Sequence, residues 1–179
     1  MNPLVLGSSP SGPTTYPDSR LRISNQPARL ICAAGSDSVF GAAALRSLTI
    51  DLVKLSPVNS AIAPQAAGGY SQAIEVTGAQ RILYVSGQIP ETFDGKVPKD
   101  FVEQARVVWN NVIAQLASAN MTVENLTKVT TFLSAREFAV LNGEIRQEFL
   151  GGHRPALTVI ITGIFDEKWL LEIEAIAAA

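Results

Sequence analysis

The chain has 179 residues, of which 47% are hydrophobic and 17% charged, and its formal net charge is −2. This is enough apolar material for one domain with a core, and the acidic balance argues against a nucleic-acid groove, which needs clustered Lys and Arg. One cysteine, Cys32, and one histidine, His153, exclude an internal disulfide and the zinc sites that use several Cys or His. No apolar run reaches the ~20 residues of a membrane helix.

Residues 1–48 differ in composition from the rest of the chain. They contain five prolines, eight serines and four arginines against two acidic residues. Three interpretations stay open: a disordered segment, an organellar transit peptide, or a reading frame extended beyond the native protein. The chain is expected to be cytoplasmic, or organellar if this leader is a transit peptide. Residues 49–179 are predicted to form the folded domain.

The folded region alternates between strand-like and helix-like patterns. Runs rich in β-branched and apolar residues predict strands at 50–55, 71–76, 82–88, 126–133, 157–164 and 170–177. Apolar residues at three-to-four spacing predict helices at 101–119 and 137–150. Asp100 is a predicted N-cap with Glu103 in the capping-box position, Asn120 could close that helix, and Gly151 with Gly152 ends the second. This order predicts an α+β fold in which two helices cover one face of a single sheet.

The other sheet face is predicted to remain uncovered in one chain. In the strand predicted at 157–164, Leu157 and Val159 point to one side while Thr158 and Ile160 point to the other. Both sides therefore carry branched apolar groups, but a single helical layer can cover only one of them. Because a large apolar patch rarely stays exposed to water, we predict that the chain self-associates.

Four segments carry a resemblance to a known family. They are residues 66–73 (AAGGYSQA), residues 85–90 (VSGQIP), the predicted helix that contains Asn142, and residues 172–177 (EIEAIA). In this order and spacing they resemble the RidA/YjgF family of reactive intermediate deaminases, from residue 55 to the end of the chain. The resemblance implies a chorismate-mutase-like fold, a homotrimer with a ligand cleft at each subunit interface, and no metal or cofactor.

The resemblance also implies an activity and a set of site residues. Family members hydrolyse enamines and imines derived from amino acids, which releases ammonia and a 2-oxo acid. Tyr70 and Glu172 match the family's catalytic positions, with Glu172 beside the attacking water. Asn142, Ser86 and Gly87 match substrate-binding positions. Glu174, two residues after Glu172, is assigned a structural role.

The chain departs from the family at two positions, and at the first of them Gly69 replaces the usual proline before Tyr70. The second departure bears directly on the activity. Active members carry Pro-Ala-Arg, and the arginine clamps the substrate carboxylate, whereas this chain has Leu157 after Pro155 and Ala156. Leucine has no donor for a carboxylate. Arg154, or an arginine of a partner chain, is the alternative clamp, although residues 154 and 157 of an extended strand would point to opposite sides.

Two functions therefore follow as expectations. The first is an enamine or imine deaminase, and the alternative is a catalytically silent trimer that binds or senses a small molecule. RNA cleavage is disfavoured, because from Leu55 onward nine Lys or Arg stand against thirteen Asp or Glu. His153 is predicted to be a solvent-exposed loop residue.

Overall fold

A computed structural model describes residues 52–179. The strands and helices, in chain order, are β1 (Lys54–Val58), β2 (Ala73–Thr77), β3 (Ile82–Gln88), α1 (Phe101–Ser118), β4 (Leu126–Leu133), α2 (Ala139–Leu150), β5 (Ala156–Ile161) and β6 (Leu171–Ala178). The predicted order of strands and helices is confirmed. The leader, with Cys32, lies outside the described residues, so its interpretation and the boundary at residue 48 stay predictions.

The prediction of a single sheet is wrong. β1 pairs with β2 in an antiparallel two-stranded sheet, while β3, β6, β4 and β5 form a separate four-stranded sheet in that spatial order. One isolated parallel bridge, from Ser71 to Ala156, connects the segment before β2 with β5. The residue pattern shows which face of a strand is apolar, but it does not show which strand is the hydrogen-bonding partner.

The four-stranded sheet is mixed, with β6 and β4 as its two central strands. β6 pairs antiparallel with β3 on one side and with β4 on the other, and β4 pairs parallel with β5. β3 and β4 therefore run in the same direction on either side of β6. The helices α1 and α2 lie in the two crossover connections, β3 to β4 and β4 to β5, as parallel strands require.

The ends of the helices follow the predicted signals except at Glu103, whose side chain does not form the expected capping box, so Asp100 alone caps α1. The Asp100 carboxylate accepts hydrogen bonds from the backbone N–H groups of Val102 and Glu103, at 2.9 and 3.3 Å, which confirms the N-cap. Beyond α1, Asn120 has a φ of 55°, a left-handed conformation that its short polar side chain tolerates. After α2, Gly151 has a φ of 55° and a ψ of −118°, a combination open mainly to glycine.

The core lies between the helices and one face of the four-stranded sheet. Trp109 of α1 is fully buried and stacks on Phe149 of α2, with ring centroids 5.8 Å apart. Along β6, the buried residues alternate with residues that face away from the helices. The buried ones are Leu171, Ile173, Ala175 and Ala177, and those on the opposite face are Glu172, Glu174 and Ile176. One face is thus covered by helices, as predicted, and we call the other the open face.

Within residues 52–179, no helix combines the length and apolar character needed to cross a membrane. The same part of the chain contains no group of three or more His, Cys, Asp or Glu side chains placed to hold a metal ion.

Candidate functional site

The open face carries a shallow depression of about 420 Å³. Its lining includes Tyr84 of β3, Lys128 and Thr130 of β4, and Glu174 and Ile176 of β6. The strand register places Tyr84 opposite Ile176 and Thr130 opposite Glu174. Tyr84 is 74% exposed on β3, an edge strand of the sheet, so most of its ring faces solvent. The face therefore combines apolar area with charged groups, as contact surfaces between subunits do.

Glu172 lies on the same side of β6 and is held against the end of β3. The pairing of β3 with β6 is irregular between Val85 and Gln88, a bulge that brings Gly87 close to the Glu172 side chain. A Cβ atom at position 87 would overlap the Glu172 carboxylate, so a side chain at this position would make the carboxylate move. Ser86 is exposed beside this pair. The structure thus brings together three predicted site residues: Ser86, Gly87 and Glu172.

Tyr70 belongs to a loop on the opposite side of the sheet. Gly68 and Gly69 before it have φ angles of 80° and 67°, which glycine adopts without steric cost. The loop is tied to β5 because Ser71 donates from its backbone N–H to the Pro155 carbonyl, at 3.1 Å, and from Oγ to the Arg154 carbonyl, at 2.8 Å. The Tyr70 hydroxyl accepts a hydrogen bond from the Ala67 N–H at 3.4 Å.

Arg154 lies close to Tyr70. The two residues line one cavity of about 330 Å³ together with Gly68 and Gly69. Arg154 precedes β5, whose first residue is Ala156, so strand alternation does not determine its direction. The predicted alternative clamp is therefore near the predicted catalytic tyrosine, although its own side chain is exposed.

Leu157 and Asn142 lie on the helix-covered side of the sheet. Leu157 is partly buried and packs against the core. Asn142, in the first half of α2, is 2% exposed. Ala156 is opposite Lys128 on the open face, so Leu157, the next residue of β5, faces the helices. Tyr70 is on the same side, because it lies near Arg146 of α2 and the preceding Gly69 lies against Gln147. Within one chain, Tyr70, Asn142 and Leu157 are thus separated from Glu172, Ser86 and Gly87 by the sheet.

Sequence reasoning missed Arg146, which follows Asn142 by one helical turn. Arg146 is partly buried beside Tyr70, and burial lowers the pKa of its guanidinium below the ordinary value while Tyr70 acts in the opposite direction. It lines a cleft of about 730 Å³ with Gly68 and Gly69. The spacing of four residues from Asn142 was the available signal, because residues i and i+4 share a helix face.

The prediction for His153 is wrong. Its side chain is 12% exposed, and its Nε2 lies 2.7 Å from the Leu126 carbonyl oxygen. Nδ1 lies 3.6 Å from the Glu124 carboxylate. The loop folds back onto the start of β4, so His153 fixes the chain before β5 rather than meeting solvent.

The comparisons with known proteins agree with this architecture. Residues 60–179 match the protein family described as Endoribonuclease L-PSP. The mitochondrial protein Mmf1 of Saccharomyces cerevisiae is 38% identical over 128 residues, which cover 70% of this chain and 86% of Mmf1. The crystal structure of yeast Mmf1 aligns with a TM-score of 0.53 at 34% identity, over 70% of this chain and 98% of that one. The structure of E. coli TdcF with bound serine aligns with a TM-score of 0.53 at 29% identity, over 69% and 98% of the two chains.

The fold is therefore that of the small α+β proteins to which Mmf1 and TdcF belong. The chain is a member of the Rid family, also called RidA/YjgF or L-PSP, which confirms the resemblance that the sequence predicted.

Proposed function

We propose that this protein is a homotrimer that binds a small amino-acid-derived metabolite in clefts between subunits and hydrolyses its enamine or imine form. The role of the assembly is to complete the site. One chain supplies Tyr70 and Asn142 on one side of its sheet and Glu172 on the other, so neighbouring chains would bring the two groups to a common cleft.

The open face supports self-association. Ile82, Tyr84 and Ile160 are 58%, 74% and 43% exposed there. Burying apolar area of this kind stabilises an interface by roughly 25 cal/mol per Å² before the costs of association. The number of subunits comes from the family resemblance and stays a prediction.

The proposed reaction is the addition of water to a carbon–nitrogen double bond. The water oxygen adds to the imine carbon while the C=N electron pair moves to nitrogen, which takes up a proton. The resulting carbinolamine loses ammonia as the C–O bond becomes a carbonyl, and the products are a 2-oxo acid and ammonia. A carboxylate can accept the proton from water and return it to the departing nitrogen, and we assign this role to Glu172.

The observation that carries this proposal is the contact between Glu172 and Gly87. A strand carboxylate on an otherwise open face would normally be free to rotate. Here the bulge in β3 brings Gly87 next to the carboxylate, and because Gly87 has no side chain the carboxylate can lie directly against it. One side of the carboxylate is therefore covered. Such placement suits a group that must hold a water in one direction.

The ligand class is supported by a relative. TdcF holds serine in its crystal structure, and an amino acid has the carboxylate and the nitrogen-bearing carbon that a 2-imino acid also has. We therefore propose small 2-imino acids and their enamine tautomers as the substrates of this chain.

The proposal is tested by measuring ammonia release from 2-iminobutanoate, generated in the cuvette by a threonine dehydratase. We expect the protein to accelerate release, and Glu172→Gln to reduce the acceleration by about 10²- to 10⁴-fold. Glu75→Gln is the matched control, because Glu75 is an exposed carboxylate on β2. No acceleration by the unaltered protein would reject the deaminase function.

The alternative function is a catalytically silent trimer that binds or senses the same class of ligand. Leu157 favours it, since the family clamp is missing. A Leu157→Arg variant separates the two: a gain in deamination would indicate a pocket that lacked only its clamp, whereas ligand binding without any gain would favour the silent trimer.

Two further points concern RNA and the location of the protein in the cell. We do not propose RNA cleavage, because acidic residues outnumber basic ones from residue 55 onward, and salt-sensitive RNA binding would contradict this. The cytoplasmic location stays a prediction. The mitochondrial designation of Mmf1 supports the organellar alternative, which a fluorescent fusion with and without residues 1–48 would test.

A further inference from the structure

Arg146 combines partial burial with the lack of a partner. It is the one arginine of residues 52–179 that is not exposed. Its Nε atom is buried and has no hydrogen-bond partner in this part of the chain, and no carboxylate of these residues forms an ion pair with it. A buried N–H group without an acceptor is costly. Arg106, in contrast, is exposed and pairs with Glu148 at 3.1 Å.

The position of Arg146 connects it with the predicted site. It follows Asn142 by four residues and therefore shares a face of α2 with that buried amide. It is near enough to Tyr70 for the two to interact electrostatically. It also lines the 730 Å³ cleft between α2 and the Gly68–Gly69 turn, so its charge can be reached from solvent.

The same side of the sheet carries Leu157. An arginine at position 157 would project from β5 toward the helices, on the side that Tyr70 also faces. In this chain β5 has the apolar Leu157 at that position, whereas α2, on the same side of the sheet, carries the cation Arg146. We propose that Arg146 is the carboxylate-binding residue of this protein and that it takes small 2-oxo and 2-imino acids. This inference rests on the proposed function, because it assigns the ligand anchor of the same site.

Other charges border the cleft. Glu144 and Glu148 also line it. Glu148 is paired with Arg106, and Glu144 is exposed, where solvent screens its repulsion of an anion. Arg154 is the rival anchor near Tyr70, but an exposed arginine contributes little to an ion pair.

The test compares a carboxylate with its neutral analogue. Calorimetric titration of the full chain with 2-oxobutanoate and with 2-oxobutanamide gives an acid-to-amide preference for each variant. We expect Arg146→Gln to weaken 2-oxobutanoate binding by about 10- to 100-fold and to abolish the preference, since one charge-assisted contact is lost. Arg146→Lys should fall between, because an ammonium lacks the bidentate fork. Arg136→Gln, at an exposed arginine before α2, should bind as the unaltered protein does.

Several outcomes would overturn the inference. One is an Arg146→Gln protein that keeps the preference, and another is an Arg154→Gln protein that loses it instead. Absence of 2-oxobutanoate binding by the unaltered protein would also reject it. If circular dichroism shows that Arg146→Gln does not fold, the acid-to-amide preference of Arg146→Lys decides: an unchanged preference rejects the anchor, and a reduced one supports it.

Ammonia release measured on the same samples separates this inference from the proposed function. A protein that binds 2-oxobutanoate through Arg146 without deaminating 2-iminobutanoate would support the anchor and reject the deaminase. A protein that deaminates equally well with Arg146→Gln would support the deaminase and reject the anchor.

Discussion

The two faces of the four-stranded sheet are formed by the same strands and yet have opposite properties. On the helix-covered face, Leu126, Val129 and Ile173 are fully buried, and the two helices fill the space above them. On the open face, Tyr84 and Ile82 are largely exposed next to charged groups. The first face stabilises the single chain through packing, whereas the second leaves apolar area exposed, which the proposed association would bury. Under that proposal, stability and site formation depend on different faces.

The largest effect is expected on the covered face. Trp109→Ala removes a fully buried ring that stacks on Phe149. We expect the free energy of unfolding to fall by about 3–5 kcal/mol, measured by urea denaturation followed by circular dichroism. Phe93→Ala is the control, because Phe93 is fully exposed in the loop between β3 and α1. Similar losses for both variants would contradict the assignment of the core.

The next largest effect is expected at the contact between Gly87 of β3 and Glu172 of β6. Gly87→Ala places a methyl group where the Glu172 carboxylate lies, so the carboxylate must move. We expect ammonia release to fall by about 10²-fold, in line with displacement of a general base, with little change in secondary structure. Gly163→Ala is matched to it, since a Cβ at position 163 would meet no atom within 4 Å. Full activity of Gly87→Ala would show that Glu172 is not held by this contact.

A smaller effect is expected from a charge on the open face. Tyr84→Asp should weaken association about tenfold or more, because a carboxylate would have to be desolvated beside Glu174 in an interface. Sedimentation velocity over a range of concentrations measures the shift. Phe93→Asp, which alters a fully exposed aromatic residue away from the sheet, should leave association unchanged. An unaltered protein that sediments as a lone folded subunit would refute the role of the open face.

The smallest effect is expected at the start of α1. Asp100→Ala removes the acceptor for two backbone N–H groups and should lower the free energy of unfolding by about 1 kcal/mol, without a change in association. Chemical denaturation measures the loss. Asp94→Ala is the control, because its carboxylate, whose pKa is lowered by Lys96 and Thr92, lies in an exposed turn away from any helix end. An equal loss in both would argue against capping as the cause.

The predicted strands at 82–88 and 126–133 agree with β3 and β4 residue for residue. Both are dense in β-branched and apolar residues, so local pattern and tertiary packing favour the same bounds. The strand predicted at 50–55 was placed too early, since β1 runs from Lys54 to Val58 and includes Pro57. Proline argues against a central strand, but an edge strand tolerates it, and the pattern alone did not show that β1 is at an edge.

The site was predictable in part. Tyr70, Glu172 and Gly87 were identified by their motifs, and the structure supplies the contact that links Gly87 to Glu172. Arg146 was not identified, because its role depends on a tertiary contact: the loop that carries Tyr70 packs onto α2. A Cβ atom at position 69 would lie only 2.6 Å from Gln147 Oε1. These residues are more than seventy positions apart, so no local sequence pattern indicates that they are in contact.

The sequence by itself determined the family, the order of strands and helices, the Asp100 cap and the missing arginine at position 157, because each is read from short motifs and local patterns along the chain. The tertiary structure decided the split into two sheets, the burial of His153, and the separation of Tyr70 from Glu172 by the four-stranded sheet. These features depend on which strands pair and which loops fold back, and pairing is a property of the whole chain rather than of any one segment.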